Sequence, residues 1–403
     1  MLVLGSTGSG KSTLLRNLIA QDIARGDGLL FIDPHGADAE AVLDLVPKNR
    51  ANQVAYFNVA DTDCPVGINF LTGLDPNARA LRADNILSAM RAIWSESWGP
   101  RLEHILRFAL AALMEVPGTT LLDLPPLLTS DTFRRDILAK VTDKLTLDFF
   151  HNEMERWRET VRDENVQSTL NKVTGFLFNP IVRGIISNAD AKFSFEHALA
   201  RRRIVIANLS KGRIGATSAF LMGSMLLAAL QSATMARQRV LEETSAEMRD
   251  LRLDPRSPEA QALLDERMPA FHVIVDEAQN LGSSVIAELA AEARKYAVSV
   301  TIGTQILAAL PTLVQESLLG NVGSLIAFRV SSRDSEVVAP AFNSLNRDFE
   351  PASLLELSRG EAMVRVFGAQ GVQRVQMPPP PAGYKTGETV RKQSRRHYGR
   401  AVR

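Results

Sequence analysis

The residues with the most chemical potential stand at the front of the chain. Gly5, Ser6, Thr7, Gly8, Ser9, Gly10, Lys11, Ser12 and Thr13 fit G-x-x-x-x-G-K-[ST] at every constrained position. A short apolar run, Leu2 to Leu4, precedes them, and Ser12-Thr13-Leu14-Leu15 opens a helical stretch behind them. Glycines at these places let the backbone curl so that successive N–H groups point inward at phosphate oxygens. The helix N-terminus adds the positive end of its dipole. In such a loop Lys11 reaches the β- and γ-phosphates and Ser12 ligates Mg2+. Gly5 through Thr13 are therefore the candidate nucleotide-binding residues. The loop by itself implies a bound nucleoside triphosphate and nothing finer.

A second constellation lies far along the chain. Phe271-His272-Val273-Ile274-Val275 is an apolar run that delivers Asp276 and Glu277 at its end. Open α/β sheets bind ligands outside the carboxyl ends of their strands. Asp276 is there a candidate ligand of Mg2+, through water, and Glu277 a candidate base for an attacking water. A strand followed by an acidic helix start yields the same residues, so the pair takes its meaning from the phosphate loop. Gln305 follows the run Val298 to Gly303 and is placed to sense a γ-phosphate. Arg294 sits just before that run. It is either a solvated helix residue or an arginine finger for a neighbouring subunit, worth about 10³–10⁵ in rate. Lys11, Glu277, Arg294 and Gln305 form the candidate catalytic set, and Ser12 and Asp276 the candidate metal ligands. Asp33, in Asp33-Pro34-His35-Gly36, either supports the metal shell or makes an Asp-Pro turn. Lys211, Arg213 and Arg329 also leave strand ends and are weaker candidates for phosphate contact.

These residues need a sheet to assemble them. Apolar runs without alternation occur at Leu2–Leu4, Leu29–Ile32, Val54–Phe57, Ile204–Asn208, Phe271–Val275, Val298–Gly303 and Leu325–Phe328. Such runs suit strands covered on both faces. With helical stretches between them they predict an α/β fold with a mostly parallel central sheet. A closing hairpin is expected from Ala362–Phe367 and Val372–Met377. Residues 79–190, rich in Leu, Ala, Arg and Glu at helical spacing, read as an all-helical insertion domain. Residues 1–78 and 191–377 then form the nucleotide-binding domain, with a charged, mobile excursion at about 241–269. Residues 378–403 read as a Pro-rich linker and a disordered basic tail, with Lys385, Arg391, Lys392, Arg395, Arg396, Arg400 and Arg403 facing one acid, Glu388. A clamp on nucleic acid or anionic lipid is the other reading of that tail.

Bulk properties narrow the classes. The 403 residues carry a net charge of +1, so any contact with nucleic acid or membrane must come from local patches. The single cysteine, Cys64, excludes an intramolecular disulfide and reads as a structural thiol. The apolar stretches Ile105–Val116 and Ala219–Leu230 fall short of the roughly 20 residues a spanning helix needs. The expected location is cytoplasmic. Leu2–Leu4 is shorter than the usual strand of about 5–6 residues, which predicts further residues upstream, a membrane anchor possible among them.

In this order GSTGSGKSTLL, IDPHG, SWGPRLEHILRFAL, NLSKGRIG, VDEAQNL, EARKYAVSVTIGTQ and SLLGNVGSLIAFRV resemble the TraG/TraD-like coupling ATPases of type IV secretion and conjugation, in the HerA–FtsK superfamily. The resemblance runs from Leu2 to Phe367; its specific parts are the EARKY…TQ spacing and the place of the helical insert. It implies a RecA-like P-loop NTPase that uses ATP and Mg2+ and forms a homo-hexameric ring threading DNA. It implies Arg294 as the finger, Gln305 as the γ-phosphate glutamine, and a relaxase or other secretion-system components as partners. A location at the cytoplasmic face of the inner membrane goes with it. Other classes stay open: a DNA pump of chromosome processing or repair, a protein-secreting ATPase, and a nucleotide-gated binding module.

Overall fold

The computed structural model describes residues 1–72, 76–281, 283–343, 349–366, 368, 369 and 371–400. Nine strands form one sheet: β1 (Leu2–Leu4), β2 (Gly28–Asp33), β3 (Val54–Asn58), β4 (Ile204–Asn208), β5 (Phe271–Val275), β6 (Val298–Thr304), β7 (Leu325–Ala327), β8 (Glu361–Arg365) and β9 (Gln373–Gln376). Their order across the sheet is β3-β4-β2-β5-β6-β1-β7-β8-β9. β1 to β7 pair in parallel, and β8 and β9 add an antiparallel hairpin at the edge. The fold is thus the mixed, mostly parallel α/β sheet expected from the apolar runs. Phe367, expected to close the first hairpin strand, lies outside the described residues.

Strand residues alternate between two faces. Leu2, Leu4, Leu30 and Ile32 belong to one core, and Val3, Leu29 and Phe31 to the other. The first core also takes in the long helix Ala216–Asp250 and the helical stretch between β3 and β4. The second is roofed by α1 (Lys11–Arg25) and α2 (Ala37–Leu43).

The stretch between β3 and β4 is helical throughout its described elements, beginning with α3 (Pro76–Ile93) and α4 (Pro100–Glu115). It is docked by polar clamps as well as apolar packing. The buried Arg82 guanidinium donates to Ser232 Oγ at 2.9 Å and to the Phe70 carbonyl at 3.1 Å. Beside it Asn85 Nδ2 donates to Gln231 Oε1 at 2.9 Å.

Three expectations need correction. The charged excursion expected at 241–269 is ordered helix: Ala216–Asp250 runs through its first part, and Pro258–Arg267 is a second helix. Four-residue spacings explain this, since Gln238 bonds Glu242 at 2.6 Å and Arg239 bonds Glu243 at 3.1 Å. The same continuation makes Ala216–Asp250 long and apolar enough to cross a bilayer by composition, where shorter stretches were expected. Its apolar window is 83% buried inside the fold, as a core helix requires.

The basic tail is not disordered. Gly387–Tyr398 is a helix whose Val390, Ser394 and Tyr398 are buried at a spacing of four. It packs on α2 and β3 and covers that edge of the sheet. Ser394 Oγ accepts from the Tyr56 backbone N–H at 2.8 Å, and the Gly387 N–H donates to Asp44 Oδ1 at 2.8 Å. The basic residues reach acids on the body: Arg395 pairs with Asp61 at 2.6 Å, and Arg391 with Glu40. Arg403 lies outside the described residues. Cys64 is half-buried beneath this helix's end.

Candidate functional site

Strand order brings the scattered motifs together. β5, β6 and β1 are neighbours, with Val275 in register with Ile302 and Leu4 with Thr304. The acids after β5, Gln305 after β6 and the loop after β1 therefore emerge side by side at the C-terminal ends.

The loop from Gly5 to Gly10 is braced from below. The Gly5 N–H donates to the Thr304 carbonyl at 3.3 Å, and the Ser6 N–H to the Arg329 carbonyl at 2.9 Å. Arg329 thus meets the loop through its backbone, while its side chain is exposed. Gly10 has φ +128°, and a Cβ there would stand 2.8 Å from the buried Phe328 ring, so only glycine allows this path. No side chain caps α1 at Gly10, and its first turn holds no acid. The first N–H groups of a helix have no intrahelical partner, and here no capping side chain or acid of the first turn answers them. This cradle fits a phosphate. Ser12 and Thr13 are half-buried in that first turn, and Thr7 and Gly8 are exposed at the loop's tip.

Lys11, Asp276 and Glu277 form one buried cluster. The ammonium bonds Asp276 Oδ1, and Glu277 Oε1 at 2.9 Å. Burial alone lowers an ammonium pKa, but the two carboxylates outweigh it and hold Lys11 above its ordinary value. Burial pushes the Asp276 carboxyl above the usual aspartate value against the pull of Lys11. Burial also works upward on Glu277. There Lys11, with hydrogen bonds from Lys11, Gln305 and Gln279, prevails and leaves the carboxyl below the usual glutamate value. Gln305 Nε2 donates to Glu277 Oε1 at 2.6 Å, and Thr7 Oγ1 donates to Gln305 Oε1 at 3.0 Å. The loop, the glutamine and the acid are thereby joined. One cation against two carboxylates leaves the cluster with one excess negative charge, which suits a divalent cation.

Two participants were not singled out from the sequence. Gln279 Nε2 donates to Glu277 Oε2, and Thr304 Oγ1 donates to Gln279 Oε1 at 2.6 Å. The available signal was the position of Gln279 in VDEAQ, two residues beyond Glu277 in a tight turn.

The other candidates make none of these bonds, though Asp33 lies near enough to Asp276 to help raise its pKa. Arg294 is exposed in the turn Ala293–Tyr296, at the N-terminal end of β6. The seven residues of β6 separate it from Gln305, about 20 Å at a strand's rise. There it borders a cleft of about 910 Å³ shared with Thr301, Ser324 and Arg365. Asp33 serves the turn: Oδ1 accepts from the His35 N–H at 2.8 Å, and Oδ2 from the Ala39 N–H at 2.9 Å. Lys211 is half-buried and Arg213 exposed in a short helix after β4. Lys211 lines a smaller cavity of about 270 Å³ with Phe220 and Gln279.

Comparison with known proteins agrees with this fold. The plasmid coupling protein TrwB in complex with ADP and Mg2+ superposes with a TM-score of 0.65 at 15% identity, over 95% of this chain and 86% of that one. Its complex with the GTP analogue GDPNP gives 0.66 at 17% identity, with the same coverage. VirB4 of Thermoanaerobacter pseudethanolicus gives 0.57 at 14% identity, over 96% of this chain and 90% of that one. At such identities the likeness establishes the fold, that of a RecA-like P-loop NTPase. The aliphatic sulfonates import ATP-binding protein SsuB 1 of Rhizobium johnstonii is 35% identical over 127 residues, 30% of this chain and 45% of that protein. The chain thus spans less than half the length of that curated relative. The family model described as helicase HerA, central domain, matches residues 1–229, more than half of the sequence. With the phosphate loop, the acidic strand end and the sheet order all in place, the chain belongs to the HerA helicase central-domain family.

Proposed function

We propose that this chain is an ATP-hydrolysing DNA translocase of the coupling type, serving conjugative or type IV secretion transfer at the cytoplasmic face of the inner membrane. The observation that carries the reading is the buried cluster of one cation and two carboxylates against an uncapped, glycine-shaped loop. Such a site complements a nucleotide together with a divalent cation. Ser12 and Asp276 would hold Mg2+, which would neutralise charge on the phosphates. Lys11 has three N–H donors and exchanges an acid for phosphate as ATP engages. Glu277 then takes the proton of the attacking water, and Gln305 orients that water. The nucleotide complexes of TrwB and the ATP-binding name of SsuB 1 support ATP and Mg2+ as the ligands.

Arg294 lies at the far end of the strand that carries Gln305, so in this reading it completes a neighbouring subunit's site within a homo-hexamer. Residues 79–190 act as a separate helical domain between the two parts of the NTPase domain, 1–78 and 191–377, and receive a relaxase or other secretion-system partner. The near-neutral chain holds DNA through loops repeated around the ring.

DNA added to the purified chain is expected to raise ATP hydrolysis, with stimulation falling steeply as salt rises, because counterions are released on binding. Hydrolysis indifferent to DNA at every salt concentration contradicts the translocase reading. Inactive Glu277→Gln and Arg294→Ala chains are expected to regain activity when mixed. Mixtures no more active than either parent remove the shared site.

A further inference from the structure

The two carboxylate oxygens of Glu277 are held by different groups. Oε1 receives Lys11 at 2.9 Å and Gln305 at 2.6 Å. In hydrolysis both donors have other tasks, Lys11 on phosphate and Gln305 on water. Oε2 receives Gln279 Nε2, its donor among the described residues. The Glu277 backbone is held independently, in the left-handed region at φ +50°, by its carbonyl's bond from the Asn280 N–H at 2.8 Å and by its own N–H on Asp276 Oδ1 at 2.9 Å. Backbone restraint fixes where the side chain starts, not how its carboxylate turns.

A carboxamide has a donor face and an acceptor face of nearly equal shape. Turned the wrong way, Gln279 would set its carbonyl oxygen against the carboxylate. The acceptor-only carboxylate calls for the NH2 face, and the fully buried Thr304 hydroxyl meets the other face by donating to Gln279 Oε1 at 2.6 Å, with the Ile306 carbonyl farther off at 3.3 Å. Thr304 is the last residue of β6, paired with Leu4 next to the phosphate loop. The line Thr304–Gln279–Glu277 therefore measures the acid against the strand that bears Gln305.

We infer that Gln279 is a positioning residue for this site, orienting the Glu277 carboxylate through Oε2 while Thr304 anchors the amide's oxygen. The inference rests on the hydrolase reading above. It predicts an effect on the chemical step and little on nucleotide binding, since a misplacement near 1 Å costs on the order of 10²-fold in rate.

The test is steady-state ATP hydrolysis against pH for the full chain and for Gln279→Ala, Gln279→Glu, Thr304→Val, Thr304→Ser and the double variant Gln279→Ala/Thr304→Val. Gln279→Ala should lower kcat about 10- to 100-fold, with KM within about twofold, and should move the acid limb of the profile upward, because Glu277 loses a hydrogen bond to its charged form. Gln279→Glu should move that limb further, a second carboxylate raising the first. Thr304→Val should act in the same direction, Thr304→Ser should restore near-normal turnover, and the double variant should be no worse than Gln279→Ala. A Gln279→Ala chain with unchanged kcat and pH profile overturns the inference. So does a loss of kcat that follows the melting temperature down with the profile unmoved, or a double variant whose losses add. A wild-type chain that hydrolyses no nucleotide overturns the hydrolase reading and this inference with it; turnover in the wild type matched by Gln279→Ala overturns the inference alone.

Discussion

At the edge strand β3, Tyr56, Asn208, Glu40 and Arg391 form one polar network; at the centre, Lys11, Asp276, Glu277 and Gln305 form another. Both sit at the C-terminal ends of one sheet and both draw partners from far apart in sequence. At the edge, the Tyr56 hydroxyl donates to Glu40 Oε1 at 2.5 Å and accepts from Asn208 Nδ2 at 2.9 Å, while Arg391 pairs with Glu40. Burial and the bond to Glu40 push the Tyr56 pKa upward, so the phenol stays neutral, and Arg391 faces both Glu40 and the exposed Glu388, 3.3 Å away. The central network keeps an excess negative charge. The difference teaches which network carries its charge away from water. The edge one reaches solvent through Arg391 and Glu388 and joins the C-terminal helix to the sheet, whereas the central one holds its second carboxylate among buried groups.

The largest expected effect comes from breaking the central network. Lys11→Ala should lower ATP turnover by at least about 10²-fold, with the fold retained by circular dichroism, because Asp276, already lifted by burial, can take up a proton. The edge network should respond in the opposite sense. Tyr56→Phe removes a buried hydroxyl from two partners and should cost about 1–3 kcal/mol of stability in urea unfolding, with ATP turnover unchanged. A Tyr56→Phe chain as stable as the wild type would remove the contrast.

The smallest expected effect concerns pH. The Glu277 carboxyl is held below its ordinary value. Its contribution to stability is therefore present above the unfolded-state pKa and is lost as pH falls through the lower folded-state value. Gln305→Ala removes a bond to the charged form and raises the folded-state value, so the loss should be complete at higher pH, by less than about 1 unit. Melting temperature measured against pH reads this directly, and a shift toward acid would reverse the sign of the argument.

Much of this was legible in the chain. The core strands are short, apolar and β-branched, so β4 and β5 were readable to the residue, and β2, β3 and β6 extend one residue beyond their readable runs at one or both ends. The phosphate loop and acidic pair were legible because their chemistry demands fixed residue types. The bond between Gln305 and Glu277 depended on β6 lying between β5 and β1, a matter of strand order that no local pattern states. Gln279 and Thr304 escaped notice for the same reason, since each is ordinary until the two strands meet. The C-terminal helix was misread because charge was weighed above spacing. The tail's seven Lys and Arg residues suggested solvent, while Val390, Ser394 and Tyr398, four residues apart, marked the buried face.

The central claim is that the unbalanced cluster hydrolyses a bound nucleotide, and Glu277→Gln tests it most directly. ATP binding by titration calorimetry and hydrolysis by phosphate release should be measured on the wild type and this variant together. The account predicts retained binding, a fall in hydrolysis of about 10²–10⁴, and a melting temperature at or below the wild type's, since the fold holds the Glu277 charge with Lys11, Gln305 and Gln279. Hydrolysis within about twofold of the wild type, against that predicted fall, would contradict it.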